Sequence, residues 1–375
     1  MRVAHIIKAT RVSGAERHLL ILLPALKTRG VEICLILLED PAQPVDEMAA
    51  ELTAAGIEVK RIPIYRHMDL GVIGRIRRAL REFHPELVHT HLIHADIYGM
   101  MGARFAGARV IVSSRHNDDH FRRRLPMRGL NRVLWRLTSG GIAISEAIAR
   151  FCVEVEGAPA RKMTTIYYGL ALEEAERSSA RLALRAELLL PQDAPLLGMV
   201  CRLIDQKGVA YGLRAFALIA AQFPEAHLVI AGDGIRRGAL ESEAKALGMA
   251  ERVHFLGWRG DTANVLAALD VLLMPSLWEG FGLVMLEAMA QAVPIIGSDV
   301  SAIPEVVVDG ETGLLVAPRD TAGLAQALEQ LLSDAALRRH MGLMGQDRVE
   351  TIFSVERMTT ETLRFYDQSL QDVDP

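Results

Sequence analysis

Short runs of Val, Ile and Leu alternate with longer stretches of helical periodicity from one end of this chain to the other. That rhythm limits the possible folds more than any other feature. RVAHII reads as a strand, followed by a Gly-containing loop and a helix from about Ala15 to Thr28. VEICLILL, IEVKRIPI, LVHTH and RVIVSSRH supply further strands, and EMAAELTAAG, LGVIGRIRRALREF and HADIYGMMGARFAG lie between them with helical spacing. Such alternation predicts an α/β fold with a doubly wound parallel sheet covered by helices on both faces.

The rhythm restarts after Gly169. LLGMVCRL is apolar enough for a strand buried on both faces. VAYGLRAFALIAAQF, AHLVIAGDG, RRGALESEAKALG, VHFLGW, VLAALDVLLMPS, GLVMLEAMAQA and PIIGS continue it. A chain of 375 residues is also longer than one hydrophobic core usually supports. Two Rossmann-like domains are therefore expected, 1–168 and 169–354, with a linker near 168–195 marked by a polar helix, Pro191 and Pro195. Residues 355–375 are expected to form a helix packing back on the first domain. In open parallel sheets ligands bind beyond the C-terminal strand ends, so two such domains are expected to face a central cleft.

Charge divides the chain in the same place. Residues 1–168 carry 25 Lys/Arg against 17 Asp/Glu, a net of +8, and the remainder carries −12 within a total of −4. Polar residues interrupt every apolar run before membrane-spanning length, and the N-terminal apolar stretch meets Lys8 too early for a signal peptide. Cys34, Cys152 and Cys201 are far apart and form no C-x-x-C pair, so neither a disulfide framework nor a zinc site is indicated. A cytoplasmic protein is expected.

Three loops carry residue types suited to phosphate. In T-R-V-S-G-A-E, Gly14 lets backbone N–H groups approach an anion at a helix start, although a tight βα turn explains it equally. In C-R-L-I-D-Q-K-G, Arg202 and Lys207 flank a short loop just past a buried strand, a pairing that fits a diphosphate. In W-E-G-F-G-L-V-M-L-E-A-M-A, Gly280 and Gly282 open a helix whose N–H groups around Phe281, Gly282 and Leu283 are free donors at a positive helix end. Glu279 precedes that helix. Glu287 lies one turn inside it among Leu283, Leu286, Met289 and Ala290, where an unpaired carboxylate is expensive and a vicinal diol would satisfy it. AGDG is not a G-x-G-x-x-G and no P-loop is present, so nicotinamide and P-loop readings fall away.

Together, S-G-A-E, R-x-x-x-x-K-G, A-G-D-G, F-L-G-W, E-G-F-G-L-x-x-x-E-A-M-A and F-S-V-E-R-M resemble family 4 of the retaining glycosyltransferases, with the GT-B fold, over nearly the whole chain. The resemblance implies a nucleotide-diphosphate sugar, a UDP-sugar being favoured, bound mainly by the second domain, and a saccharide or lipid-linked saccharide acceptor on the first. Arg202 and Lys207 would hold the diphosphate and Glu287 the ribose hydroxyls. Glu279 would contact the donor sugar or phosphate, and the backbone near Trp258 and Arg259 would meet the base. Gly14 would belong to the loop that closes on the donor, and His116, in S-S-R-H-N, would contact the transferred sugar. The resemblance also implies retention of anomeric configuration, no metal and no separate cofactor, with preorganised donors stabilising the leaving diphosphate. Two departures stand out: Gln291-Ala292-Val293-Pro294 lacks the usual Gly before Val-Pro, and Tyr167-Tyr168-Gly169 replaces the common Asn-Gly.

His84, His89, His91 and His94 cluster in H-P-E-L-V-H-T-H-L-I-H, and on a strand His89 and His91 would share one face, giving at most two metal ligands. Arg122, Arg123, Arg124, Arg128, Arg132 and Arg136 alternate with apolar residues in the 121–137 stretch, and Arg75, Arg77, Arg78 and Arg81 form a second basic run. Such stretches suit an anionic membrane surface as well as a solvated helix face, and would place the enzyme at the inner face of the cytoplasmic membrane. Nucleic acid is not indicated, because no stacking aromatics accompany the arginines and net charge is negative. Two other readings stay open: a sugar-nucleotide epimerase on the same architecture, and a catalytically idle partner subunit.

Overall fold

The computed structural model of the chain describes residues 1–65, 69–118, 120–170 and 176–372. They divide into two compact units, Met1–Gly169 with Ser354–Pro375, and Leu170–Phe353. The division after Gly169 lies one residue from the expected boundary.

Unit 1 begins with β1 (Arg2–Ala9), α1 (Gly14–Thr28), β2 (Glu32–Glu39), α2 (Asp46–Ala54), β3 (Glu58–Pro63) and α3 (Gly71–Phe83). It continues with β4 (Leu87–His91), α4 (Leu92–Ala106), β5 (Val110–Arg115), α5 (Leu125–Leu137), β6 (Gly140–Ala143), α6 (Glu146–Phe151) and β7 (Met163–Thr165). Among the described residues its strands pair in parallel in the order β3-β2-β1-β4-β5-β6-β7. The alternation of side chains along β1 sorts them to two cores. Val3 and Ile7 pack with Leu19, Leu22 and Leu23 of α1 on one face, and Ala4 and Ile6 pack with Ile76, Leu80 and Leu134 on the other. Burial on both faces is why these strands read as apolar runs rather than as alternating ones.

Unit 2 comprises α7 (Arg177–Glu187), β8 (Leu196–Val200), α8 (Val209–Ile219), β9 (His227–Ala231), α9 (Arg237–Ala246), β10 (Val253–Gly257), α10 (Thr262–Ala267) and β11 (Val271–Met274). It continues with α11 (Leu283–Ala290), β12 (Ile295–Ser298), α12 (Ile303–Val306), β13 (Gly313–Val316), α13 (Thr321–Ser333) and α14 (Ala335–Ile352). The strand order is β10-β9-β8-β11-β12-β13, all parallel. The last helix, α15 (Val355–Gln371), belongs to unit 1, where Phe365 and Tyr366 are buried in the α1-side core.

Each sheet reverses its strand order once, between β1 and β4 in unit 1 and between β8 and β11 in unit 2. Connections from the two central strands leave in opposite directions at such a point, opening a crevice above the C-terminal strand ends. The loops after β8 and β11 meet there in unit 2. Those after β1, β4 and β5 meet there in unit 1.

The short strands β6, β7 and β13 are not evident in the sequence.

Candidate active site

In unit 2 the register Leu197↔Val271 and Gly198↔Leu272 sets β8 beside β11, so residues about seventy apart in sequence share one crevice. Gly208 lets the first loop approach the second. Its φ is +61°, and a Cβ there would stand 1.9 Å from the carbonyl oxygen of Pro275. The loops are then laced together: Leu277 N–H donates to the Gln206 carbonyl at 2.7 Å, and the Gln206 amide donates to the Trp278 carbonyl at 3.0 Å. Gly232 and Gly234 bring the β9–α9 loop equally close to the first, against the carbonyls of Cys201 and Leu203.

That lacing brings Lys207 and Glu279 together as an ion pair, each side chain mostly buried. Arg202 is exposed beside them, and its guanidinium has no ion-pair or hydrogen-bond partner among the described residues. Gly282 caps α11 with φ +87°, a conformation that favours Gly, and Phe281 before it is buried against Phe353. In the first turn of α11 the Met285 N–H donates to the Gly282 carbonyl at 2.9 Å, while a helix start offers the N–H groups before it no carbonyl of their own helix. Ser276 in the same loop is fully buried with its hydroxyl unpartnered among the described residues.

Glu287 sits one turn inside α11, as read from the sequence, but it and Leu283 are half-buried rather than enclosed. The buried stripe runs instead through Met285, Leu286, Ala288, Met289 and Ala290. Trp258 lies after β10 and is 80% exposed, while the guanidinium of Arg259 is held by Glu187 at 2.6 Å and Asp261 at 2.7 Å.

Unit 1 contributes the start of α1. Gly14 is exposed, and a Cβ there would meet nothing within 4 Å, so its backbone is accessible to a ligand. The Glu16 carboxylate reaches back to accept from the Ser13 N–H at 3.1 Å and the Ser13 hydroxyl at 2.7 Å. This capping-box contact commits one of the donors that an anion would need.

His116 is buried, and both its ring nitrogens are engaged: Nε2 with Nδ1 of His91 at 3.2 Å, and Nδ1 with the Tyr168 hydroxyl. Tyr168 stacks on His18, with ring centroids 4.3 Å apart. His18 and Tyr168 were missed as site residues. The only hint of Tyr168 in the sequence was its place in the Tyr-Tyr-Gly departure.

The histidine reading needs correction. His89 and His91 do share a face of β4, but β1 lies beside it with His5 paired to His89, adding a third imidazole to the expected two. Possible ligand atoms of His5, His89 and His91 lie within 4.8 Å of one another. They are hydrogen-bonded without any ion: His5 Nδ1 to His91 Nε2 at 3.0 Å, His89 Nδ1 to Tyr366 at 2.6 Å, and His89 Nε2 to Ser114 at 2.7 Å. Burial holds the imidazoles of His5 and His18 neutral, with pKa lowered to about 3, and drives those of His89, His91 and His116 well below the usual value.

The arginine-rich stretch also divides. Arg122 is buried, donating to Glu156 at 2.6 Å. Glu156 also accepts from Arg115 at 2.9 Å and from the Trp135 indole at 3.1 Å, and Arg115 pairs with Asp96. Among the described residues this buried network joins Arg115 and Arg122 to Asp96 and Glu156. Arg123, Arg124, Arg132 and Arg136 remain exposed.

Two doubly wound parallel-sheet units, the second with a cation–carboxylate site at its switch point, define a GT-B glycosyltransferase fold. The description "Glycosyl transferases group 1" matches residues 180–348, and "Glycosyltransferase Family 4" matches residues 12–174. The chain is 30% identical over 332 residues to N-acetyl-alpha-D-glucosaminyl L-malate synthase of Bacillus anthracis, covering 86% of this chain and 84% of that one. It therefore belongs to glycosyltransferase family 4. It is also 36% identical over 180 residues to the lipopolysaccharide core biosynthesis glycosyltransferase LpsE of Rhizobium meliloti. That match covers 48% of this chain and spans about half, 52%, of the relative's length. The fold is similar to that of Anabaena HepE, solved in complex with UDP, with a TM-score of 0.85 at 20% identity over 98% of this chain and 100% of that one.

Proposed function

We propose that this protein is a retaining, metal-independent glycosyltransferase of cell-envelope or polysaccharide biosynthesis. It moves a sugar from a nucleoside-diphosphate donor, UDP-sugar being favoured, to a saccharide or lipid-linked saccharide, with no separate cofactor. The observation that carries the reading is the unit 2 crevice, where Arg202, with no counter-charge among the described residues, shares the loop of the Lys207–Glu279 pair near the start of α11. A diphosphate meets two cations and a helix N-terminus there, and Glu287 is placed for a ribose diol. As the sugar C1–O bond to the diphosphate breaks, the charge developing on the leaving oxygen falls on these fixed donors. The acceptor oxygen bonds C1 from the same face, and its proton passes to the departing phosphate. The UDP complex of the structural neighbour supports the donor class, and the name of the Rhizobium relative supports the envelope setting.

The acceptor side falls to unit 1, and its lipid character is supported by the outer faces of α3, α4 and α5. Exposed Arg77, Arg78, Arg81, Arg104, Arg124 and Arg132 there accompany exposed Phe105, Leu125 and Val133. Among the described residues no helix is long and apolar enough to cross a membrane, so the proposed contact is peripheral, with an anionic surface. Co-sedimentation with phosphatidylglycerol vesicles that is lost in high salt supports it; equal recovery with neutral vesicles refutes it.

The donor test is thermal stability against UDP, GDP, ADP and their sugar conjugates, for wild type and Arg202→Ala. A ligand at 100 times its Kd stabilises by about 2.7 kcal/mol. A shift with one nucleotide in wild type that shrinks in the variant supports the site. No shift with any of them overturns it and favours an idle partner subunit. Product analysis then separates transfer from epimerisation, since only a transferase yields a glycosylated acceptor.

A further inference from the structure

Behind His116 lies a line of hydrogen bonds that the transfer reaction as described does not use. It begins at Ser114 at the end of β5, whose hydroxyl meets His89 Nε2 at 2.7 Å. His89 Nδ1 meets the Tyr366 hydroxyl at 2.6 Å, and that hydroxyl lies 3.5 Å from His5 Nε2. His5 Nδ1 meets His91 Nε2 at 3.0 Å, His91 Nδ1 meets His116 Nε2 at 3.2 Å, and His116 Nδ1 meets Tyr168. Every group is buried, from β1, β4, β5, α15 and the segment after β7.

A neutral imidazole has one N–H and one bare nitrogen, so a chain of them can be satisfied in only two ways. Either His5, His91 and His116 each carry the proton on Nδ1 and donate toward Tyr168, or each carries it on Nε2 and donates toward Tyr366. Any mixture among these three, which meet ring to ring, sets two N–H groups or two bare nitrogens face to face in a buried site.

We propose that His5 and His91 are positioning residues that fix the tautomer of His116, the three imidazoles sharing one proton arrangement. His116 Nε2 is tied inward to His91. Its Nδ1, held by Tyr168, is the nitrogen that a ligand hydroxyl can take when the tyrosine yields. The shared tautomer decides what that hydroxyl meets: a donor in the Nδ1–H arrangement and an acceptor in the Nε2–H arrangement. Tyr366, on the helix that closes unit 1, anchors the inner end. The kinetic consequence rests on the reading that His116 meets the transferred sugar; the shared tautomer does not.

The first test is nitrogen NMR of the histidine-labelled protein, in which the two ring nitrogens of each neutral imidazole report its tautomer. His5, His91 and His116 are expected in the same tautomer, and any disagreement among the three overturns the proposal. His5→Phe keeps a ring of similar size but removes both nitrogens. His91 is then expected to turn its bare Nε2 toward the Phe, holding His91 and His116 in the Nδ1–H form.

Where wild type holds the Nε2–H form, this switch is expected to lower kcat at least about tenfold with KM for the donor within about twofold, as for other groups that set a histidine tautomer; where wild type already holds the Nδ1–H form, kcat and the His116 signals are expected to stay unchanged. His5→Gln, which restores a hydrogen-bonding partner, is expected to recover part of the loss. A His5→Phe protein whose His116 signals report any form but Nδ1–H, whichever form wild type holds, overturns the positioning role. If His5→Phe fails to fold, Tyr366→Phe deletes one oxygen and is read by the same His5, His91 and His116 signals. Full transfer by His116→Ala with matching tautomers in wild type would refute the sugar contact alone.

Discussion

Lowering the pH from 7.5 to 5.5 should destabilise unit 1 severely, and the structure gives the size of the effect. His5, His18, His89, His91 and His116 are buried, and burial holds all five neutral far below the usual histidine range. In the unfolded chain each titrates near pH 6.5. As pH falls below that value the unfolded state takes up protons that the folded state refuses, so stability drops until pH reaches the folded pKa. At pH 5.5 the loss is about 1.4 kcal/mol per histidine, or about 7 kcal/mol for five, against a typical total of about 5–15 kcal/mol. Carboxylates add little in this window, because they titrate near pH 4 when unfolded. The assay is urea unfolding at both pH values, with hydrogen exchange in peptides of β1, β4 and β5 isolating unit 1. His18→Phe keeps the stack on Tyr168 and removes a buried Nδ1 that has no partner among the described residues. It should recover about 1.4 kcal/mol of the acid loss. A stability of unit 1 that changes by less than about 1.4 kcal/mol between the two pH values would refute the reasoning, since that equals a single histidine.

Other expectations follow from single contacts. Lys207→Ala or Glu287→Ala should abolish most transfer while leaving the far-UV spectrum and thermal midpoint near wild type; wild-type turnover in both would remove the donor site from this crevice. Glu156→Gln should cost about 3–5 kcal/mol in urea unfolding, because it removes the buried carboxylate charge that faces both Arg115 and Arg122. A loss below about 1 kcal/mol would show that the network tolerates the missing charge. Gly208→Ala should impair nucleotide binding more than global stability, since the new Cβ collides with Pro275 and forces apart the two loops that carry Lys207 and Glu279. Unchanged binding in calorimetry would count against that coupling.

The residues of the unit 2 crevice stood out in the sequence because they are local. Arg202 and Lys207 lie within one loop, and Glu279, Gly282 and Glu287 span one loop and one helix, so short spacing already put compatible groups together. The unit 1 site was legible only in part. His116 stood out at a strand end, but Tyr168, His18 and His5 come from three other segments; Tyr168 is marked only by the Tyr-Tyr-Gly departure, and nothing in the local sequence marks His18 and His5. Arg122 misled for the converse reason. Its neighbours in sequence are exposed cations, but its partner Glu156 is thirty-four residues away, and only folding shows that the charge is neutralised.

The sequence by itself determined the periodicity, and hence two doubly wound α/β units, a break near Gly169 and the glycines at tight loops. These are consequences of where apolar side chains must face and which residues tolerate positive φ. Tertiary structure decided which loops meet. The reversals of strand order between β1 and β4 and between β8 and β11 set Lys207 against Glu279 and His5 beside His89. Strand order is fixed by the packing of whole sheets and helices, and no local run of residues encodes it.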